Sequence, residues 1–213
     1  MEKLISHFWY VGIGLLSTLE LLAGGFLIGI TLGVSLSILR YNGIGAPIIK
    51  GFISVIRGTP LILQLSLIYF TTPSIIGIKL STLSAGIIAF GFNSAAYIAE
   101  LLRAGIENLP KGQFEAAQTL GIPRFYMWKD IILPQVIMNI FPAIINEGIA
   151  LLKETALIST IGGLDIMRAS QMLAAEQFEY FTPLCIAGTY YYVLVLLIEY
   201  MGKRIERSYN KNA

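Results

Sequence analysis

Residues 12–39 read GIGLLSTLELLAGGFLIGITLGVSLSIL, and Glu20 is the only charged side chain between Lys3 and Arg40. A hydrocarbon core about 30 Å thick takes roughly 20 apolar residues per helical crossing, so this run can span a bilayer with residues to spare. It is too long for a signal-peptide hydrophobic region and has no small-residue cleavage site before the next apolar run. It therefore reads as a retained membrane helix. Working outward, Arg57 to Lys79, Lys79 to Glu100, Asp130 to Glu147 and Glu179 to Glu199 enclose further uncharged runs. A charge at the bilayer centre costs roughly 2.5–3.5 kcal/mol on insertion scales, so these gaps mark spans. The pattern predicts an all-α membrane protein with five transmembrane helices, near 12–39, 59–73, 81–104, 131–152 and 180–201.

Composition agrees with this reading. Of 213 residues, 55% are hydrophobic and 13% charged, against about 25% charged in soluble domains, and the mean hydropathy is +0.72. Five crossings leave no room for a large soluble domain, so residues 1–213 are expected to form one transmembrane domain. A net charge of +2 excludes an electrostatic nucleic-acid binder. The single cysteine, Cys185, and single histidine, His7, leave no internal disulfide, no metal site and no catalytic set for a membrane hydrolase.

The basic residues set an expected orientation. Eleven lie at 40–58 (Arg40, Lys50, Arg57), at 103–130 (Arg103, Lys111, Arg124, Lys129) and in the tail (Lys203, Arg204, Arg207, Lys211), against Lys3, Lys79, Lys153 and Arg168 elsewhere. Lysine and arginine accumulate on the cytoplasmic side, which puts the N-terminus outside and the C-terminus in the cytoplasm. Pro60 suits a first helical turn, whereas Pro134 and Pro142 are expected to bend the fourth span. Gly25, Gly29 and Gly33 repeat every four residues, as do Gly91, Ala95 and Ala99. Such stripes of small residues suit close helix packing in lipid.

The cytoplasmic loop at 105–130 carries the strongest motif. Gly112–Leu120 favours a short helix, Gly121 can end it in a left-handed conformation, and Pro123 can open the next. Composition alone leaves two readings: a docking knob built of two small helices, or an amphipathic loop lying on the membrane surface. Within and beyond the loop, Glu115-Ala116-Ala117, Gly121, Ile131 and Leu133-Pro134 stand at the spacing of the EAA signature of bacterial ABC-importer permeases. Arg57-Gly58-Thr59-Pro60 with Gln64 and Tyr69, and Phe92-Asn93-Ser94-Ala95-Ala96-Tyr97 through Glu100, Arg103, Ala104 and Gly105, narrow the match. Over residues 12–205 the chain resembles a permease subunit of a polar amino acid importer.

The resemblance implies the type I importer fold in the bacterial inner (cytoplasmic) membrane, with a second permease copy, identical or homologous. It also implies two cytoplasmic ATPases and an extracytoplasmic binding protein. In that family the 105–130 loop is a coupling helix seated in an ATPase groove. Glu115 would supply a charge contact, Ala116 and Ala117 a close backbone approach, and Gly121 the turn. The chain itself has no phosphate-loop motif, since Gly202-Lys203 is followed by Arg204. ATP and magnesium are accordingly expected on the partner ATPase, with no cofactor in this chain.

A second set of polar residues runs along the fourth span: Asn146, Glu147, Lys153, Glu154 and Thr155. Ionisable groups inside a membrane must face a partner, a cavity or water. Positions 150 and 151, one turn beyond Glu147, are Ala150 and Leu151, so no basic residue there answers it at helical spacing. Two readings stay open. Glu147 pairs with Arg57 or Arg103 in space, or, with Asn93, Asn146, Glu154 and Thr155, it lines a substrate cavity near the membrane midplane. An acid directly after Asn146 leans by resemblance towards a basic amino acid such as arginine, while Lys153-Glu154-Thr155 resembles permeases assigned to glutamine. Glu100 and Arg103 are spaced to pair. Glu20 could face a partner subunit, residues 165–177 could meet the binding protein, and Tyr190–Tyr192 read as interfacial anchors. A channel or secondary transporter for a small polar solute is the alternative, but neither needs such a loop, and no inverted repeat is visible.

Overall fold

A computed structural model describes residues 2–210; Lys211 of the basic tail lies outside the described residues. Helix α1 (Glu2–Gly12) breaks briefly before α2 (Leu15–Tyr41). There follow α3 (Ala46–Gly58), α4 (Leu61–Ile76), α5 (Thr82–Glu107) and the short α6 (Lys111–Thr119). Then α7 (Arg124–Tyr126) runs through a π-helical segment (Met127–Ile132) into α8 (Leu133–Glu154) and a 3-10 segment (Thr155–Ile161). Helices α9 (Ile166–Gln177) and α10 (Phe181–Asn210) complete the chain. The described residues form no strand.

Four stretches, Glu2–Tyr41, Thr82–Glu107, Arg124–Ile161 and Phe181–Ser208, are long and apolar enough to cross a membrane. Helices α3 and α4 meet the same test only as a pair, bent by 106° between them. Five spans result if that pair counts as one. The stretch 40–58, which the expected spans 12–39 and 59–73 leave as a connection, is thus largely helix α3. Its Ile49, Ile53 and Ile56 follow a helical period and pack with Ala96 and Ala99 of α5, while Lys50 and Arg57 each stand one position beyond an isoleucine of that stripe. Pro60 stands just before α4 rather than inside its first turn. Gln64 closes the elbow: its amide donates to the Ile56 carbonyl at 2.8 Å, the Thr59 carbonyl at 3.2 Å and the Thr59 hydroxyl at 2.9 Å. Carbonyls at a helix end lack intrahelical donors, and Pro60 has no N–H to give them.

Helix α5 is the central element. It packs along α2 and also meets α3, α4 and α8. The glycine stripe of α2 makes the long contact possible. A Cβ on Gly29 would sit 2.7 Å from Ser94 Cβ, and one on Gly33 would sit 2.9 Å from the Ala95 carbonyl oxygen. The sequence expectation of close packing at Gly25, Gly29 and Gly33 holds, with Phe90, Gly91, Ser94, Ala95 and Ile98 of α5 as the partners.

At the end of the bundle remote from α6, a polar knot ties α9 to the spans. Buried Asp165 accepts the N–H groups of Met167 (3.1 Å) and Arg168 (2.8 Å), capping α9, and the Tyr191 hydroxyl at 3.0 Å. The Ile166 N–H donates to Thr18 Oγ1 at 3.2 Å, and the Tyr190 hydroxyl to the Phe8 carbonyl at 2.9 Å. Two of the three consecutive tyrosines are therefore interhelical braces. Tyr192 alone is exposed in the manner of an interfacial anchor.

Gly33→Ala is expected to lower the stability of the purified permease by about 1–3 kcal/mol through overpacking. Gly51→Ala, with nothing within 4 Å of its Cβ, is expected to leave it unchanged or slightly raised. Thermal unfolding in detergent compares the two.

Candidate functional site

The acids on the spans are not equivalent. Glu100 on α5 gathers cations from three helices: Arg40 of α2 at 2.6 Å, Arg103 of α5 at 2.9 Å and Arg57 at the end of α3 at 3.6 Å. Arg103 also binds Glu107. The expected Glu100–Arg103 pair is present, but the larger cluster joins residues 40, 57 and 100, a separation that no helical spacing reveals. Glu100 is only 17% exposed, so this carboxylate holds the loop ends of three helices together.

Beside this cluster is an open cavity of about 490 Å³, lined by Arg57, Tyr97, Glu100, Arg103, Ala143, Asn146 and Glu147. Arg57 and Arg103 are the cations to which Glu147 could have been paired. Both are engaged by Glu100 instead, and no ion pair among the described residues includes Glu147. Its carboxylate is part-buried at the wall of a cavity that also holds the exposed Asn146 side chain. Arg57 keeps much of its exposure and lies 5.2 Å from the centre of the Tyr97 ring, a cation–π arrangement that fixes the guanidinium at the cavity wall.

The other residues singled out from the sequence lie elsewhere. Asn93, nearly buried on α5, donates to Glu154 Oε2 at 3.3 Å. It stands 14 residues before the loop end of α5, roughly 21 Å along the helix. Thr155 is wholly buried and its hydroxyl donates to the Leu152 carbonyl at 2.7 Å, so it is not brought to the cavity wall. Tyr97, quoted in the sequence only as a motif residue, lines it, as does Arg57, named there both as a motif residue and as a possible partner of Glu147.

In the loop, α6 forms where expected, and Gly121 adopts φ +66° to end it. Pro123 precedes α7, which is not a second separate helix but the first turn of a continuous run to Ile161. The α6 faces divide sharply. Glu115 and Ala116 are exposed, as are the apolar Leu120 and Phe125 beyond them. Ala117 is 2% exposed and packs with Met127, Ile132 and Val136. Of the adjacent alanines, one faces outward and the other its own chain. The i,i+3 relation of Phe114 and Ala117 is the signal in the sequence that could have separated them.

Comparison with known proteins follows this architecture. Residues 25–211 match the family described as binding-protein-dependent transport system inner membrane component. A Rickettsia conorii protein, GlnP, provisionally named a glutamine transport system permease, is 45% identical over 96% of this chain and 95% of its own. The Bacillus subtilis arginine transport system permease protein ArtQ is 44% identical over 93% and 92% respectively. A chain in the crystal structure of an amino acid ABC transporter with histidines superposes with a TM-score of 0.89 at 35% identity, covering 97% of both chains. The MetNI methionine ABC transporter shares the fold at a TM-score of 0.72 and 22% identity. The chain belongs to the family of binding-protein-dependent transport system inner membrane components. It is a multi-pass inner membrane protein and a transport subunit.

Glu100→Gln would leave Arg40, Arg57 and Arg103 without their shared anion. The expected loss is about 2–3 kcal/mol, less than for a fully buried pair because Arg57 and Arg103 keep access to water. The thermal midpoint of the purified permease should fall accordingly, and a midpoint equal to wild type would contradict the role given to the cluster.

Proposed function

We propose that this chain, the permease component of an ABC amino acid importer, carries a basic amino acid. The observation that carries the substrate reading is Glu147, an acid at the wall of a 490 Å³ cavity with no ion-pair partner among the described residues. A zwitterion with a cationic side chain presents one negative and two positive groups. Arg57, held at the wall by Tyr97 and still 43% exposed, suits the α-carboxylate, while Glu147 and Asn146 suit an ammonium or guanidinium. Asn93 and Glu154 form a second polar level along the same helices. The arginine and glutamine assignments of the two relatives fit a polar amino acid in either case, and glutamine is the second reading.

In this account two permease copies enclose the path and the N-terminus is extracytoplasmic. Two cytoplasmic ATPases bind ATP with magnesium, and an extracytoplasmic binding protein delivers substrate. Residues 1–213 act as one transmembrane domain, with 105–130 as its coupling loop. ATP-driven closure of the ATPases draws the two α6 helices together, and the permease pair opens outward to the loaded binding protein. Glu115 and Ala116, with Leu120 and Phe125, offer the exposed polar and apolar surface such a partner would grip. Ala117 acts from inside, as the seat of α6, and Gly121 sets the turn.

Two measurements test this. In proteoliposomes with the cognate ATPase and binding protein, Glu147→Gln should reduce arginine uptake by about tenfold or more, the loss of one charge-assisted contact, while sparing any glutamine uptake. Equal arginine uptake by both proteins would place specificity outside this cavity. Ala116→Trp should abolish substrate-stimulated ATPase activity while leaving the fold intact. Ala117→Trp should lower the thermal midpoint as well, because its side chain enters the cluster around Met127.

A further inference from the structure

If α6 is the coupling helix, as proposed above, its displacement must reach α8, which carries Asn146, Glu147 and Glu154. Apolar packing of Phe114 and Ala117 on Met127, Ile132 and Val136 resists separation, yet dispersion contacts are non-directional and permit sliding. One directional link is present. Gln113 Nε2 donates to Gln135 Oε1 at 3.0 Å, and Gln135 Nε2 donates back to Gln113 Oε1 at 2.9 Å. Gln113 is in the first turn of α6 and Gln135 in the first turn of α8. A reciprocal amide pair uses both the donor and the acceptor of each side chain, so it fixes separation and register together.

The pair is also anchored where α8 begins. Gln135 Nε2 donates to the Ile131 carbonyl at 2.7 Å, inside the π-helical segment. There the Leu133 N–H reaches back five residues to the Trp128 carbonyl, next to Pro134, which has no N–H for the ladder. π-Helical insertions within α-helices are frequent at functional sites. Trp128 within this segment stacks edge-on with Tyr41 of α2 and Phe114 of α6, with ring centres at 4.7 and 6.1 Å. The segment thus lies between the loop and the substrate-bearing part of α8, and the amide pair bridges it.

We infer that Gln113 and Gln135 are positioning residues forming the brace through which movement of α6 is passed to α8. With the brace cut, α6 remains seated by its apolar face but slides, and ATP hydrolysis proceeds with less transport. The test uses the complete transporter in proteoliposomes, measuring ATP hydrolysed per substrate imported for Gln113→Leu, Gln135→Leu and the double variant. The ratio should rise by about tenfold, within the usual range of coupling free energies, with ATPase co-purification unchanged. The double variant should be no worse than either single one. Gln113→Glu combined with Gln135→Lys, an ion pair of about the same reach as the amide pair, should restore the ratio.

An unchanged ratio in the leucine variants overturns the brace, as does loss of ATPase co-purification, which would make the pair part of the docking surface. Glu115→Arg separates this from the coupling reading. If Glu115→Arg weakens ATPase association while the leucine variants transport normally, the brace alone fails. If Glu115→Arg leaves both association and transport intact, the coupling assignment fails, and the brace with it.

Discussion

A carboxylate on a helix that crosses hydrocarbon needs a cation, a donor or water, and this constraint arranges much of the permease. Glu100 meets it with Arg40, Arg57 and Arg103, Glu199 with Lys203 at 3.6 Å, and Glu154 with the Asn93 amide. Glu147 meets it with a cavity. Because Glu100 engages the nearby arginines, the Glu147 carboxylate has no ion-pair partner among the described residues. The two acids stand on helices that face each other, with the same two arginines at the wall of one cavity, and the proposed function gives the paired one a structural role and the unpaired one a transport role.

The small residues of α2 make this division possible. Gly29 and Gly33 bring α2 against α5 at distances a Cβ would not allow, with Gly25 tight against Phe90, and that approach carries Arg40 at the end of α2 to Glu100. The elbow between α3 and α4, held by Gln64, supplies Arg57 from a third direction. Rigid packing, the ion cluster and the cavity wall are consecutive results of one helix contact, at the same end of the bundle as the α6 loop.

Local periodicity was readable, and long-range meeting points were not. The apolar runs located four spans and part of the bent pair, and the four-residue spacing of glycine and alanine announced close helix packing without saying which helices meet. The Gly121 turn followed from the residue itself. Helix α3 was hidden because Gly43, Gly45 and Pro47 punctuate it like a loop, although its isoleucines keep a helical period. Nothing local distinguishes Arg57 as a partner of Glu100 rather than of Glu147, since the choice depends on how α3 is turned by the elbow. The π-helical segment has no compositional mark beyond the following Pro134. Ala116 and Ala117 are chemically identical neighbours, told apart by the seat of α6 on Met127 and, in the sequence, only by the i,i+3 spacing of Ala117 from Phe114.

The central claim is that the cavity beside Glu147 is the substrate's path, and reaction of a cysteine on its wall tests it most directly. In the complete transporter with Cys185→Ser, Ala143→Cys should react with a water-soluble thiosulfonate in the absence of nucleotide, and saturating arginine should slow that reaction. A cysteine that does not react, or reacts at a rate indifferent to arginine, would contradict the account.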